Sequence, residues 1–161
     1  MKRVLRLLVL VVIACAQTAC SGHDGHDQHG DYTGKVQAVD APTVADWYAE
    51  GRDFRILDVR TQQEFEEDGR APQAELVTWS YRSRKAGVNE AFIETVPERF
   101  GTDETIVILC SLGMRATEAA YALQQQAGFT KVYVFPGGYE GHHMAGFPAG
   151  DGWRAAGLPM E

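Results

Sequence analysis

A chain of 161 residues with 45% hydrophobic and 23% charged side chains has material for one globular core and leaves no room for a second large domain. Fifteen Lys and Arg against 22 Asp and Glu set the net charge at −7, and loss of a leader carrying Lys2, Arg3 and Arg6 would take it to −10. That balance argues against nucleic acid and against docking on an anionic membrane surface.

Residues 1–20 read as a secretory leader. Residues 1–6 are basic, and residues 7–14 form an apolar stretch too short to span a bilayer as a mature helix. Val12-Ile13-Ala14-Cys15 and Gln17-Thr18-Ala19-Cys20 are both similar to the lipobox of bacterial lipoproteins. Lipidation is expected at Cys20 or Cys15. Cys20 is the preferred site, because it leaves Cys110 as the single unmodified thiol in an oxidising compartment. The expected location is the bacterial cell envelope, lipid-anchored in the periplasm, with the lipid as the only membrane contact. Ordinary cleavage, giving a soluble periplasmic protein, is the alternative. Residues 21–34 form a His/Asp/Gly-rich tether holding three of the five histidines, His23, His26 and His29. They read either as a weak transition-metal site or as a solvated spacer.

From residue 35 to 161 the pattern alternates strands and helices, which predicts one α/β domain with a mainly parallel sheet. The expected elements are an edge strand over 35–39, a helix over 42–50 with Val44, Trp47 and Tyr48 on one face, and a buried strand over 54–59. Thr61-Gln62-Gln63-Glu64 predicts a capping box opening a short helix through Glu67. A third strand is expected over 76–79, then a helix capped by Asn89 and ended by Pro97. A central strand over 105–109 follows, then a helix with Ala116, Ala119, Ala120, Leu123 and Ala127 on one face and Gly128 as its stop. A last strand over 131–135 and a final helix over 151–156 complete the chain.

The chemistry concentrates where the central strand meets its helix. The run Thr105-Ile106-Val107-Ile108-Leu109 ends at Cys110, and the loop Ser111-Leu112-Gly113-Met114-Arg115 follows. A thiol with a pKa near 8.5 is only ~3% thiolate at pH 7, and the thiolate is the nucleophile. Half ionisation at pH 7 needs ~2 kcal/mol, more than the ~0.3–1 kcal/mol of a helix dipole. Converging loop N–H groups and the Arg115 guanidinium are the further sources at hand. A buried structural Cys is the competing reading for this residue taken alone.

Four segments in order resemble the rhodanese (sulfurtransferase) family. Cys110-Ser111-Leu112-Gly113-Met114-Arg115 is similar to its C-x-x-G-x-R loop, and Asp58-Val59-Arg60 with Glu64-Phe65 to its D-V-R…E-[FY] segment. Gly69 to Ala74 resembles a G-H-I-P-G-A turn in which Arg70, Ala71 and Gln73 replace the usual His, Ile and Gly. Gly137-Gly138, Trp153 and Gly157-Leu158-Pro159 resemble the closing G-G…W…G-x-P. The resemblance implies a five-stranded, mainly parallel sheet with helices on both faces, and a sulfurtransferase. In it Cys110 would take sulfane sulfur from a small anionic donor such as thiosulfate and pass it to cyanide or a thiol. Ser111, Leu112, Gly113, Met114 and Arg115 would bind the substrate, and Asp58 and Arg60 would support the loop. No cofactor is required, and the chain is expected to act as a monomer.

Three further features carry expectations. Arg82, Arg84 and Lys85 read as a basic rim or a solvated loop. The insertion from Tyr139 to Gly152 carries His142 and His143, which read as pocket wall or as surface decoration. A phosphatase-type loop is disfavoured, because it needs five residues between Cys and Arg and only four lie between Cys110 and Arg115. The rival from another class is a lipid-tethered module that binds sulfane sulfur or metal without significant turnover.

Overall fold

The computed structural model describes residues 35–81, 87–141 and 150–161. Cys15, Cys20, His23, His26, His29, Arg82, Arg84, Lys85, His142 and His143 lie outside the described residues. The elements run β1 (Gln37–Ala38), α1 (Ala41–Ala49), β2 (Arg55–Asp58), α2 (Gln62–Glu67), β3 (Glu75–Leu76), α3 (Phe92–Arg99), β4 (Ile106–Leu109), α4 (Met114–Gln126) and β5 (Val132–Val134). All five strands pair in parallel, in the order β1-β5-β4-β2-β3, so β4 is central.

Side chains alternate across this sheet and feed two cores. Leu57, Ile106, Ile108 and Val132 face Phe92 and Val96 of α3 and the alanine face of α4. Ile56, Val107, Leu109 and Phe135 face Val44 and Trp47 of α1, with Tyr139, Trp153 and Leu158. Helices therefore cover both faces, and every residue of β4 is buried. Burying each such aliphatic side chain contributes about 1.5–3 kcal/mol.

Local signals place most of these elements. Asp40 caps α1, its carboxylate accepting from the Thr43 N–H at 3.0 Å. The capping box of α2 forms in full between Thr61 and Glu64. Three expectations are corrected. β3 stops at Leu76: the Val77 and Trp79 N–H groups still donate to Asp58 and Val59, but the Trp79 carbonyl turns away to accept from Asn89. Pro97 does not end α3 but sits inside it. There it forfeits a single helical bond, and the Phe100 N–H still donates to the Val96 carbonyl. The expected helix over 151–156 is one turn only. The Gly157 N–H donates to Arg154 and the Leu158 N–H to Trp153, the paired bonds that terminate a helix as soon as it has begun.

The Gly69–Ala74 turn survives its substitutions. Arg70 lies over the Phe65 ring, and Ala71 is fully buried. Gln73 holds φ at 61°, a left-handed conformation that costs a side-chain-bearing residue of order 1–2 kcal/mol.

Candidate active site

Because β4 is the middle strand and only four residues separate its end from the start of α4, the loop between them is short and tightly held. Cys110 is 1% exposed, and its Sγ accepts the Gly113 N–H at 3.1 Å. Gly113 has φ 90°, and a Cβ there would fall on the Pro136 carbonyl oxygen, so only glycine closes this turn. From beneath, the Tyr139 N–H donates to the Cys110 carbonyl at 2.9 Å and the Glu140 N–H to the Ser111 carbonyl at 3.0 Å. Gly138 permits that approach, since a Cβ there would strike both carbonyls. With its carbonyls tied to the 137–141 segment, the loop keeps its N–H groups for the sulfur.

Electrostatics at the sulfur differ from the sequence expectation. Burial pushes the Cys110 thiol above its ordinary value. The Arg115 charge and the N–H groups of Ala116, Leu112 and Gly113 pull the other way without overcoming it. The anion-stabilising groups are in place, but the closed resting site favours the neutral thiol.

The Arg115 fork is not free for an oxyanion either. It grips Glu64, Nη1 to Oε2 at 2.8 Å and Nη2 to Oε1 at 2.7 Å, with the glutamate side chain 4% exposed. Glu64 also accepts the Thr61 N–H at 3.0 Å and the Thr61 hydroxyl at 2.8 Å. Burial alone would raise this carboxyl, but the Arg115 fork and Thr61 hold it down at about 2. The capping residue of α2 is thus also the clamp on the active loop. Sequence reasoning placed Glu64 in the capping box and missed this second role; a capping box on an exposed helix end needs no buried partner.

Asp58 and Arg60 form a second, fully buried pair at 2.8 Å, with Asp58 also accepting the Arg60 backbone N–H at 3.0 Å. The Arg60 guanidinium lies 3.9 Å from the Tyr139 ring centroid and donates to the Gly69 carbonyl at 2.8 Å. The Tyr139 hydroxyl oxygen accepts the Ala71 N–H at 3.0 Å, and burial pushes that phenol well above its ordinary range. Tyr139 therefore joins the Cys110 carbonyl, the Arg60 cation and the Gly69–Ala74 turn. Its position after Gly137-Gly138 was the available sequence signal.

Leu112, at the loop tip, is 43% exposed, while Ser111 and Met114 are half-buried. Beside the loop, Ser111 lines a cleft of about 430 Å³ with Glu67, Asp68, Glu140 and Arg154. Acidic groups dominate this side. Residues 139–141 and 150–152, the two ends of the insertion, meet at the same edge: the Trp153 N–H donates to the Gly138 carbonyl at 2.8 Å, and Gly152 rests against Gly141. Among the described residues, no group of three or more His, Cys, Asp or Glu is arranged to hold a metal ion.

Residues 40–145 match the model of the rhodanese-like domain. The chain is 37% identical over 95 residues to thiosulfate sulfurtransferase 16, chloroplastic, of Arabidopsis thaliana, covering 58% of this chain and 78% of that protein. The crystal structure of Rv0390 from M. tuberculosis superposes with a TM-score of 0.61 at 24% identity, covering 78% of this chain and 97% of that one. The solution structure of the rhodanese-like domain of the Anabaena sp. Alr3790 protein gives 0.58 at 22% identity, covering 77% of each. The matched region takes in β2, the Cys110 loop and the helix behind it, and on that ground the chain belongs to the rhodanese-like domain family.

Proposed function

We propose that this protein is a sulfurtransferase working through a Cys110 persulfide. The observation that carries the reading is a buried thiol at the end of the central strand, the one cysteine among the described residues, with a loop N–H on its sulfur and a clamped guanidinium beside it. In the first step the Cys110 thiolate attacks the outer sulfur of a donor such as thiosulfate. A new S–S bond forms, the donor S–S bond breaks, and sulfite leaves with the bonding pair. In the second step a thiophilic acceptor, cyanide or a thiol, attacks the outer persulfide sulfur, and Cys110 thiolate is regenerated. The negative charge on the outer sulfur moves toward the same N–H groups, which stabilise it by hydrogen bonding. The Cys110 thiol must give up its proton to solvent before it attacks, and burial raises the cost of that ionisation, so the chemical step accelerates with pH.

The acidic cleft at Ser111 supports a neutral or thiol-bearing acceptor on that side over a second small anion. The similarity to a thiosulfate sulfurtransferase supports the donor class. We place the mature protein at the cell envelope on the strength of the leader, and mass spectrometry of membrane-extracted protein reads whether Cys20 or Cys15 carries a lipid.

Intact-mass measurement tests the reading. Thiosulfate should add one sulfur atom, excess cyanide should remove it as thiocyanate, and Cys110→Ala should abolish both. A wild-type chain that gains no sulfur from thiosulfate, polysulfide or an alkyl persulfide would leave the non-turnover binding module in its place.

A further inference from the structure

A cavity of about 440 Å³ opens at the amino-terminal ends of the strands, where Phe54 and Arg55 lead into β2, the edge opposite Cys110. Trp47 and Tyr48 of α1, Arg52, Pro72 and Gln73 line it too, with Glu75, whose carboxylate is paired with Arg55. It plays no part in the sulfur chemistry, and three observations mark it.

The Tyr48 hydroxyl is buried and has no hydrogen-bond partner. Its ring is held edge-on by Phe54 at 5.0 Å and Trp153 at 6.3 Å, so the protein surrounds a polar group with aromatic carbon. A buried phenol ordinarily finds a partner. The Arg52 guanidinium lies 4.3 Å from the Trp47 ring centroid and, among the described residues, makes no ion pair and no side-chain hydrogen bond. Arg55, the other cation of the cavity, is already engaged by Glu75, Glu104 and the Arg99 carbonyl. Gln73 keeps a left-handed backbone at the turn position where its family has glycine, and its side chain borders the same cavity.

The vacant valences are all of one kind. Among the described residues, a guanidinium fork with no carboxylate partner, a phenolic O–H with no acceptor and a carboxamide stand around flat apolar walls. Such a set is complementary to an acceptor-rich, negatively charged head on a planar apolar body. We propose that this cavity binds a small organic carboxylate with a planar apolar body. Arg52 and the Tyr48 O–H hold the carboxylate, the body lies against Phe54 and Pro72, and Gln73 closes the rim.

Benzoate is the probe, titrated into the full chain and followed by ¹H–¹⁵N spectra. Saturable shifts centred on Trp47, Tyr48 and Arg52 are expected with Kd on the order of 1 mM or tighter, the range open to a ligand of this size. Benzyl alcohol, which lacks the charge, should bind at least about tenfold more weakly. Arg52→Gln should weaken benzoate about tenfold, and Tyr48→Phe about fivefold. Without ligand, Tyr48→Phe should leave the thermal midpoint unchanged or raised, because it removes an orphan polar group, so loss of binding cannot be laid to unfolding. Shifts that stay linear to about 20 mM, shifts centred on the Cys110 loop, or a Tyr48→Phe variant that binds as wild type would each overturn the proposal.

Discussion

Glu64 gathers four donors, two from Thr61 and two from Arg115, on one carboxylate. Its folded value of about 2 lies below the ordinary 4.5, so its stabilisation is fully present above pH 4.5 and is lost as pH falls toward 2. By that linkage the ionised carboxylate, held by Arg115 and Thr61 together, contributes about 3 kcal/mol at neutral pH. Glu64→Gln should flatten the acid limb of a stability-against-pH curve and cost about 2–3 kcal/mol in urea titration at pH 7. It should also slow persulfide formation, because Arg115 is released from its position beside Cys110; Arg115→Lys in the otherwise unchanged chain should show both losses in part, since a point charge cannot meet both carboxylate oxygens. Tyr139→Phe leaves the buried Ala71 N–H without an acceptor, and should lower stability by about 1–3 kcal/mol by the same titration. The Cys110 thiol, pushed up by burial, should react with iodoacetamide at a rate that climbs with pH beyond the range of an exposed cysteine. A rate already at its plateau at pH 7 would contradict that assignment.

The junction of β4 with α4 is the element on which the site depends. It packs so closely on Pro136, Gly138 and Tyr139 that its geometry admits no extra atom at Gly113. Gly113→Ala combines left-handed strain with a collision against the Pro136 carbonyl, and should cost about 3 kcal/mol or more. Thermal denaturation measures this directly, and a variant within about 0.5 kcal/mol of wild type would mean the loop has room the structure denies it. The first turn of α4 is further secured by Thr117, whose hydroxyl donates back to the Gly113 carbonyl at 2.9 Å.

For the molecule as a whole, the two cores are closed by different means. One is covered by α3 and α4. The other is completed by Trp153, which is fully buried, lies 5.2 Å from Phe135 between ring centroids and donates its indole N–H to the Pro159 carbonyl at 2.8 Å. Since Gly141 and Gly152 already touch, replacing residues 142–149 by a two-residue linker should leave the thermal midpoint within a few degrees of wild type. If that same deletion changes the ratio of rates with cyanide and with small thiols, the insertion governs acceptor choice; an unchanged ratio assigns it no part in catalysis.

What the sequence determined by itself were the features set by neighbours within a few residues: the apolar run of β4, the capping box at Thr61, the strand-Cys-loop-helix order around Cys110, and the stop at Gly128. These depend on backbone preference and short-range hydrogen bonds, which a pattern of residue types specifies. The family resemblance added a five-stranded sheet covered on both faces and a supporting role for Asp58 and Arg60. Only the tertiary structure decided the rest. Arg115 faces Glu64, 51 positions away, because α2 and α4 both start at the carboxyl edge of the sheet. The thiol is raised and not lowered, because packing around the loop removes water, and desolvation outweighs a charge and three N–H groups. Gln73 keeps a backbone suited to glycine, and the Tyr48 hydroxyl is left alone, because both are set by what folds around them. No local pattern encodes the depth at which a side chain will lie.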